Sequence, residues 1–449
     1  MSDTTGTTPT GTGGRLAKDA AQDGTGAAAS ASRSGDRAGG EPDALAADPR
    51  LLVRERGLAG YWEAFVRRLR AGELGSLPVV VGLLVIAIVF QAQTGTFLTP
   101  RNLSNIAVYI AGPGIMAVGI VLVLLLGEID LSVGSMAGLA AAIWAVTSVN
   151  HGVPDLLAIL LAVAAGAVVG AIHGTFFAYV GVPAFVVTLA GFLGWSGLQI
   201  WVMGEEGTIN IPNNSLVNDF GGYYFSDISA AYGLATVLTA AYAAALWRGE
   251  RRRERAGLPF RTRGEILLRT GLVAVAAFLP AYTFNQHRGL PLALVVFLGV
   301  LLLADLMVRR TTYGRQIFAV GGNAEAARRA GINVELVRMS VFAIASALAA
   351  LGGLFYAANA GGASKQLGSG NLLMNVIAAA VIGGVSLFGG RGWVWSALLG
   401  TLVIQSITTG LNLMGMASEI QFMITGVVLL IAVVVDSVSR RTRRTAGRT

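Results

Sequence analysis

No cysteine occurs in the 449 residues, so disulfides, iron–sulfur clusters and thiolate metal sites are excluded. Charge is also scarce: 13% of the residues are Asp, Glu, Lys or Arg, against roughly 25% in an ordinary soluble domain. Only two lysines are present, Lys18 and Lys365, and neither follows a glycine. A G-x-x-x-x-G-K-[ST] loop needs that Gly-Lys pair to cradle phosphates, so the chain carries no P-loop for splitting ATP. The three histidines (His151, His173, His287) lie far apart in sequence, which argues against a His-based metal site. No metal and no other cofactor is expected. A G-x-S-x-G elbow, an H-E-x-x-H pair and a row of arginines within a span are missing too. Hydrolase, zinc-protease and voltage-sensor readings therefore find no support, and no catalytic residue is expected.

What the chain has is apolar mass: 54% hydrophobic residues and a mean hydropathy of +0.65. Water-soluble packing does not hide that much apolar surface, so a cytosolic globular enzyme is excluded. Sixty glycines without a G-X-Y period rule out collagen and suit closely packed membrane helices. The expected fold class is all-α: a polytopic membrane helix bundle. Twelve apolar runs stand at about 77–97, 103–126, 133–149, 155–178, 182–203, 228–247, 266–284, 291–308, 339–358, 372–390, 393–414 and 419–436. A crossing helix needs about 20 residues for a hydrocarbon core of about 30 Å, so 10 to 12 spans are expected, with 133–149 and 291–308 short.

The net charge of +8 follows topology rather than nucleic-acid binding, and no nucleic-acid partner is expected. With the N-terminus inside, thirty of the thirty-three Lys and Arg residues fall on the cytoplasmic side, leaving Arg101, Arg288 and Lys365 outside. Both termini then face the cytoplasm. Residues 1–50, poor in large apolar side chains, read as a disordered tail. Residues 51–76 mix apolar residues with arginine and suit either an amphipathic helix on the membrane surface or a solvated linker helix. The transmembrane body spans 77–438, with a cytoplasmic loop at 309–338, and 439–449 is a basic cytoplasmic tail.

Two loops carry unusual chemistry. Gly127-Glu128-Ile129-Asp130-Leu131-Ser132-Val133-Gly134-Ser135 places two acids between apolar runs, where each costs about 2.5–3.5 kcal/mol if it enters the membrane. One reading is a helix break with Asp130 or Ser132 capping the next helix, a place where transporters put polar ligand contacts. The other is an interfacial loop whose acids face water. The second loop runs from Arg315 to Val334. In it Asn323 is placed to cap a helix beginning near Ala324, with Glu325 in the first turn, Arg328 and Arg329 in the last, and Gly331 as the stop. Two turns do not persist alone in water. The helix therefore rests on its own bundle or serves as a docking knob for a partner.

Gly166, Gly170 and Gly174 recur at four-residue spacing, as do Gly134 and Gly138, which suits close helix approach. Polar residues in or beside the runs are Asn105, Thr188, Gln199, Asn375, Gln405, Ser406, Thr408, Thr409 and Asn412. Each is either a helix–helix hydrogen bond or a contact for a polar solute. The C-terminal half buries no charge, which fits a neutral substrate such as a sugar better than an ion-driven carrier.

The Gly127–Ser135 stretch resembles the signature of the permease subunits of monosaccharide ATP-binding cassette importers, the ribose/xylose/galactose group. Glu325-Ala326-Ala327-x-x-x-Gly331 resembles the EAA-x-x-x-G loop of importer permeases. The likeness extends through Val182–Gly191 and Ala380–Gly390 and covers roughly 77–441. The basic insertion Arg248–Arg263 and the stretch Asn285–Pro291 look most like the xylose branch, while residues 361–371 and 389–392 depart from it, so arabinose or another monosaccharide stays open. The resemblance implies a permease paired with a second copy in membrane lipid. A separate cytoplasmic ATP-binding cassette ATPase subunit and an extracytoplasmic sugar-binding protein complete the importer. It makes Arg315, Gly322, Asn323, Glu325, Ala326, Ala327, Arg328 and Gly331 the ATPase-coupling residues. Asn105, Glu128, Asp130, Ser132, Thr188 and Asn375 are the candidates for pathway or helix break. The outer segment 204–227, with Glu205, Glu206, Asp219 and Asp227, is the candidate contact for the binding protein. An ion-coupled carrier and a membrane scaffold are the competing classes.

Overall fold

A computed structural model of the chain describes residues 77–258, 260–428, 430 and 434. The expectations for 1–50, 51–76 and 439–449 lie outside the described residues. Long apolar runs become long helices because a backbone with no water to bond must satisfy itself. In chain order these are α1 (Leu77–Thr94), α2 (Pro100–Tyr109), α3 (Ala111–Leu125), α4 (Val133–Ala145) and α5 (Asp155–Thr175). The last two each run on through one π-helical turn, Val146–Asn150 and Phe176–Val180. Next come α6 (Ala184–Met203), the strand β1 (Thr208–Asn210), α7 (Leu216–Gly222) and β2 (Tyr224–Phe225). A helical hairpin follows, α8 (Ile228–Arg255) and α9 (Arg263–Asn285), then β3 (Leu290–Pro291) and α10 (Leu292–Arg310). Two short helices, α11 (Thr312–Gly322) and α12 (Ala324–Arg329), lead into the longest buried helix, α13 (Val334–Ala360). β4 (Gly362–Ser364), α14 (Asn371–Ile382), α15 (Ser396–Leu413) and α16 (Ser418–Val428) complete the described chain.

Among the described residues nine helices are long and apolar enough to cross a membrane, ten when α2 and α3, bent by 42°, count as one span. The all-helical, multi-pass class is as expected, but the run 372–390 is not a span. Its helix ends at Ile382 after 12 residues, or about 18 Å at 1.5 Å per residue, too short for a core of about 30 Å. The following Gly384, Gly389, Gly390 and Gly392 all have positive φ and turn the chain back. The run 419–436 lies only partly in the described residues, as α16.

The core forms around α13, which packs on α3, α4 and α5. Glycine makes this contact possible, since adding a side chain would separate the helices. A Cβ on Gly166 of α5 would sit 2.7 Å from the Ser346 carbonyl of α13, and those on Gly170 and Gly174 would overlap Phe342 and Met339. Gly112 and Gly119 of α3 meet Gly352 and Ala345 in the same way. Gly134 and Gly138 face the loop at Leu367 and Gly368, with Leu373 of α14 and Gln199 of α6 beside it. By contrast α1, α8 and α9 present exposed apolar side chains, among them Leu84, Ile88, Val237, Leu267 and Leu272, as helices facing lipid do.

At the end of the bundle away from α12, β1 pairs antiparallel with β4, Thr208 opposite Ser364, and β2 with β3. Gln199 Nε2 donates to the carbonyls of Ser364 (2.8 Å) and Leu367 (3.0 Å), and Lys365 Nζ to that of Gly204 (2.6 Å). Phe220 of α7 stacks on Phe355 of α13 with ring centroids 4.3 Å apart. These links make 204–227 a folded cap rather than a loose loop.

Candidate functional site

The short helix α12 forms where the residues predict it. Asn323 is extended, and its Oδ1 accepts the Ala326 N–H at 2.9 Å. Glu325 then bridges Arg328 (3.4 Å) and Arg329 (3.3 Å), while Arg328 also reaches Glu335 of α13 at 2.5 Å. Glu335 and Glu325 hold the Arg328 guanidinium above even its usual high pKa. Gly331 has φ +83°, and the Ile332 N–H returns to the Ala327 carbonyl, closing the helix. Only Ala327 of the six helical residues is buried; Glu325, Ala326, Arg328 and Arg329 are exposed. So α12 rests on its own bundle through Ala327, the half-buried Ala324 and the Arg328–Glu335 pair, and presents four residues outward. Arg315 and Gly322 of α11 are exposed as well.

Behind α12, the end of α11 meets two loops through bare backbone. A Cβ on Gly321 would overlap the Leu125 carbonyl at the end of α3. Gly390 donates its N–H to that same carbonyl at 2.9 Å, and a Cβ on Gly389 would come within 2.6 Å of the Gly321 carbonyl and 2.9 Å of Gly127. The loops 126–132 and 383–395 and the end of α11 thus form one junction, with the Glu128–Ser132 stretch leading straight from it.

Asp130 and Ser132 are fully buried. Ser132 occupies the N-cap position of α4, yet its side chain makes no cap bond. Instead Asp130 Oδ1 accepts the Ser132 N–H at 2.8 Å and the Ser132 hydroxyl at 2.6 Å. The Ser132 oxygen also lies 3.3 Å from His173 Nδ1, and Trp195 Nε1 donates to His173 Nε2 at 2.9 Å. An indole can only donate, so Nε2 is the acceptor, and Nδ1 carries the proton that points at Ser132. The chain Trp195→His173→Ser132→Asp130 ties α6, α5 and the loop together. The capping expected of Asp130 or Ser132 gives way to this chain because the hydroxyl has a buried imidazole to satisfy. Asp130 Oδ2 has no hydrogen-bond partner among the described residues.

Sequence reading missed His173 and Trp195. The available signal was a lone histidine between Gly170 and Gly174 on a helix-packing face, a position where an imidazole must find partners. Glu128 is half-buried and feels the charge of Arg338. Thr188 is fully buried, and its hydroxyl returns to the Ala184 carbonyl at 3.0 Å. Asn105 of α2 and Asn375 of α14 are half-buried. The structure brings Asp130 and Ser132 together and leaves Asn105 and Asn375 on separate helices. Gln405, Thr408 and Thr409 bond within α15, and Asn412 accepts from Gln421. Among the described residues no cluster of three His, Asp or Glu side chains could hold a metal ion.

Among the described residues the protein is thus a bundle of nine or ten candidate membrane spans with an exposed, capped short helix at one end. Residues 102–433 match the model of the family described as branched-chain amino acid transport system / permease component. The chain belongs to this family of ATP-binding cassette permeases, multi-pass membrane subunits that carry no ATPase site of their own. It is 36% identical to the xylose transport system permease protein XylH of Escherichia coli K12, over 83% of this chain and 94% of that one. The Haemophilus influenzae XylH is 34% identical over 82% and 98%. The ribose import permease protein RbsC of E. coli K12 is 31% identical over 80% and 92%. No solved structure matches the chain.

Proposed function

We propose that this chain is the membrane-spanning subunit of a monosaccharide importer, with D-xylose as its substrate. Sugar arrives from an extracytoplasmic binding protein, and a separate cytoplasmic ATPase supplies the power. The observation that carries the reading is α12, a capped helix that offers four of its six residues to a partner while its base abuts the Gly127/Gly389 junction. When an ATPase pair closes on nucleotide, a knob so held moves as a rigid body, and the junction passes the displacement to α3, α14 and the Asp130 loop. The likeness to xylose permeases over most of the chain, stronger than that to the ribose permease, supports the choice of sugar. Two copies of the permease side by side complete the complex. Glu205 and Glu206, exposed on the cap opposite α12, are the charged contacts offered to the binding protein.

The test is sugar-stimulated ATP hydrolysis by the chain purified with its ATPase and binding protein. Xylose-loaded binding protein should stimulate hydrolysis; stimulation by ribose alone would reassign the substrate. A Cβ at Gly331 meets nothing of this chain, so Gly331→Trp would fill the partner's space. It should abolish stimulation while the permease stays inserted. An observation that favours a second reading, an ion-coupled carrier, is the buried Asp130–Ser132–His173 chain, since proton relays use such groups. Uptake by the lone chain that an ionophore abolishes would select that reading.

A further inference from the structure

The hairpin of α8 and α9 ends in a cluster of arginines that the coupling mechanism does not use. At 1.5 Å per residue the 28 residues of α8 span about 42 Å, some 12 Å more than a hydrocarbon core of about 30 Å. Measured from the cap at Asp227, about twenty residues fill that core, and Trp247 falls at its edge. The excess begins at Arg248.

The arginines there are ordered by face. Arg248, Arg251, Arg252 and Arg255 stand at i, i+3, i+4 and i+7, one stripe of the helix, and all four are exposed. The packed face of α8, marked by the buried Ala231, Ala235 and Glu250, lies roughly opposite. Glu250 is used internally: its carboxylate takes the Arg261 guanidinium at 2.6 Å and the Arg261 N–H at 2.8 Å, pinning the turn between the helices. Val237, 64% exposed, sits on the same meridian as the stripe. The four guanidiniums therefore continue the lipid-facing side of the span, not the side turned toward the body of the protein. Arg251 lies over the Trp247 ring at 3.8 Å, and Trp247 and, in the turn between the two helices, Phe260 are exposed, as aromatic residues at a membrane interface are.

We infer that this stripe is a binding site for anionic phospholipid headgroups in the leaflet at the α12 end of the bundle. Guanidiniums at headgroup depth match phosphate in charge and geometry. A second copy of the chain is a poor occupant, because a two-fold contact would set arginine against arginine. The ATPase is a poor one too, because α12 lies on other elements and the stripe points outward into the leaflet.

The experiment reconstitutes the full chain in bilayers of phosphatidylcholine carrying spin-labelled phosphatidylglycerol or spin-labelled phosphatidylcholine, and reads the immobilised fraction of each. Wild type should hold the glycerol lipid several-fold more strongly, with the preference weakening as salt is raised. The quadruple variant R248Q/R251Q/R252Q/R255Q should lose the preference, and the corresponding quadruple lysine variant should keep it. Lysine retention distinguishes charge from a misfolded or inverted hairpin. Equal preference in wild type and the glutamine variant would overturn the proposal. So would displacement of the label by inorganic phosphate at matched ionic strength, which would mean a site for soluble phosphate. A cross-link from Arg252→Cys to the ATPase with no lipid preference would make the stripe a protein contact and overturn it as well.

Discussion

His173 sits between Gly170 and Gly174 on α5, where the neighbouring glycines let α13 approach and leave the imidazole facing Ser132 and Trp195. Every side-chain polar atom of the Trp195–His173–Ser132–Asp130 network except Asp130 Oδ2 has a partner among the described residues, so deletions strand buried groups rather than merely remove contacts. Ser132→Ala would leave His173 Nδ1 without an acceptor and Asp130 with one bond fewer, at a cost of about 1–3 kcal/mol. A lowered unfolding midpoint of the purified permease checks this, and an unchanged midpoint would show the chain to be energetically idle. At Gly331 the backbone demands φ +83°, which asparagine accepts more readily than other residues with a side chain. Gly331→Asn should thus retain more coupled hydrolysis than Gly331→Val.

Among the elements, α12 was legible because each of its signals is local. The cap, the first-turn acid, the terminal arginines and the closing glycine are all written within nine residues, and backbone chemistry alone reads them. The same holds for the Gly166–Gly170–Gly174 face. What was not legible is long-range. The residues of loop 126–132 fit a helix break and an interfacial loop equally, because its partners His173 and Trp195 lie on two other helices. The 372–390 run has the hydropathy of a span, yet its second half is a glycine-rich return that composition averages away. The junction of Gly321, Gly127 and Gly389 likewise joins three distant stretches. Gly321→Ala would push α11 off the end of α3. The expected outcome is sugar uptake reduced at least tenfold with basal ATP hydrolysis retained, measured side by side in proteoliposomes. A proportional loss of both would mean a folding defect instead.

For the whole molecule, orientation is the claim most open to direct test, and the absence of native cysteine makes the background clean. Arg329→Cys on α12 should react with an impermeant thiol reagent only from the cytoplasmic side, and Glu205→Cys only from outside. The opposite pattern would invert the bundle and remove α12 from reach of any cytoplasmic ATPase. The backbone contacts of α13 with α3, α4 and α5 bear on how such a machine opens. Helices joined carbonyl to glycine over several turns have no layer of pliable side chains between them, so they neither slide nor part without breaking the fold. On the importer reading proposed above, those four helices swing together as one stiff jaw, and the gap for a solute opens along the jaw's rim.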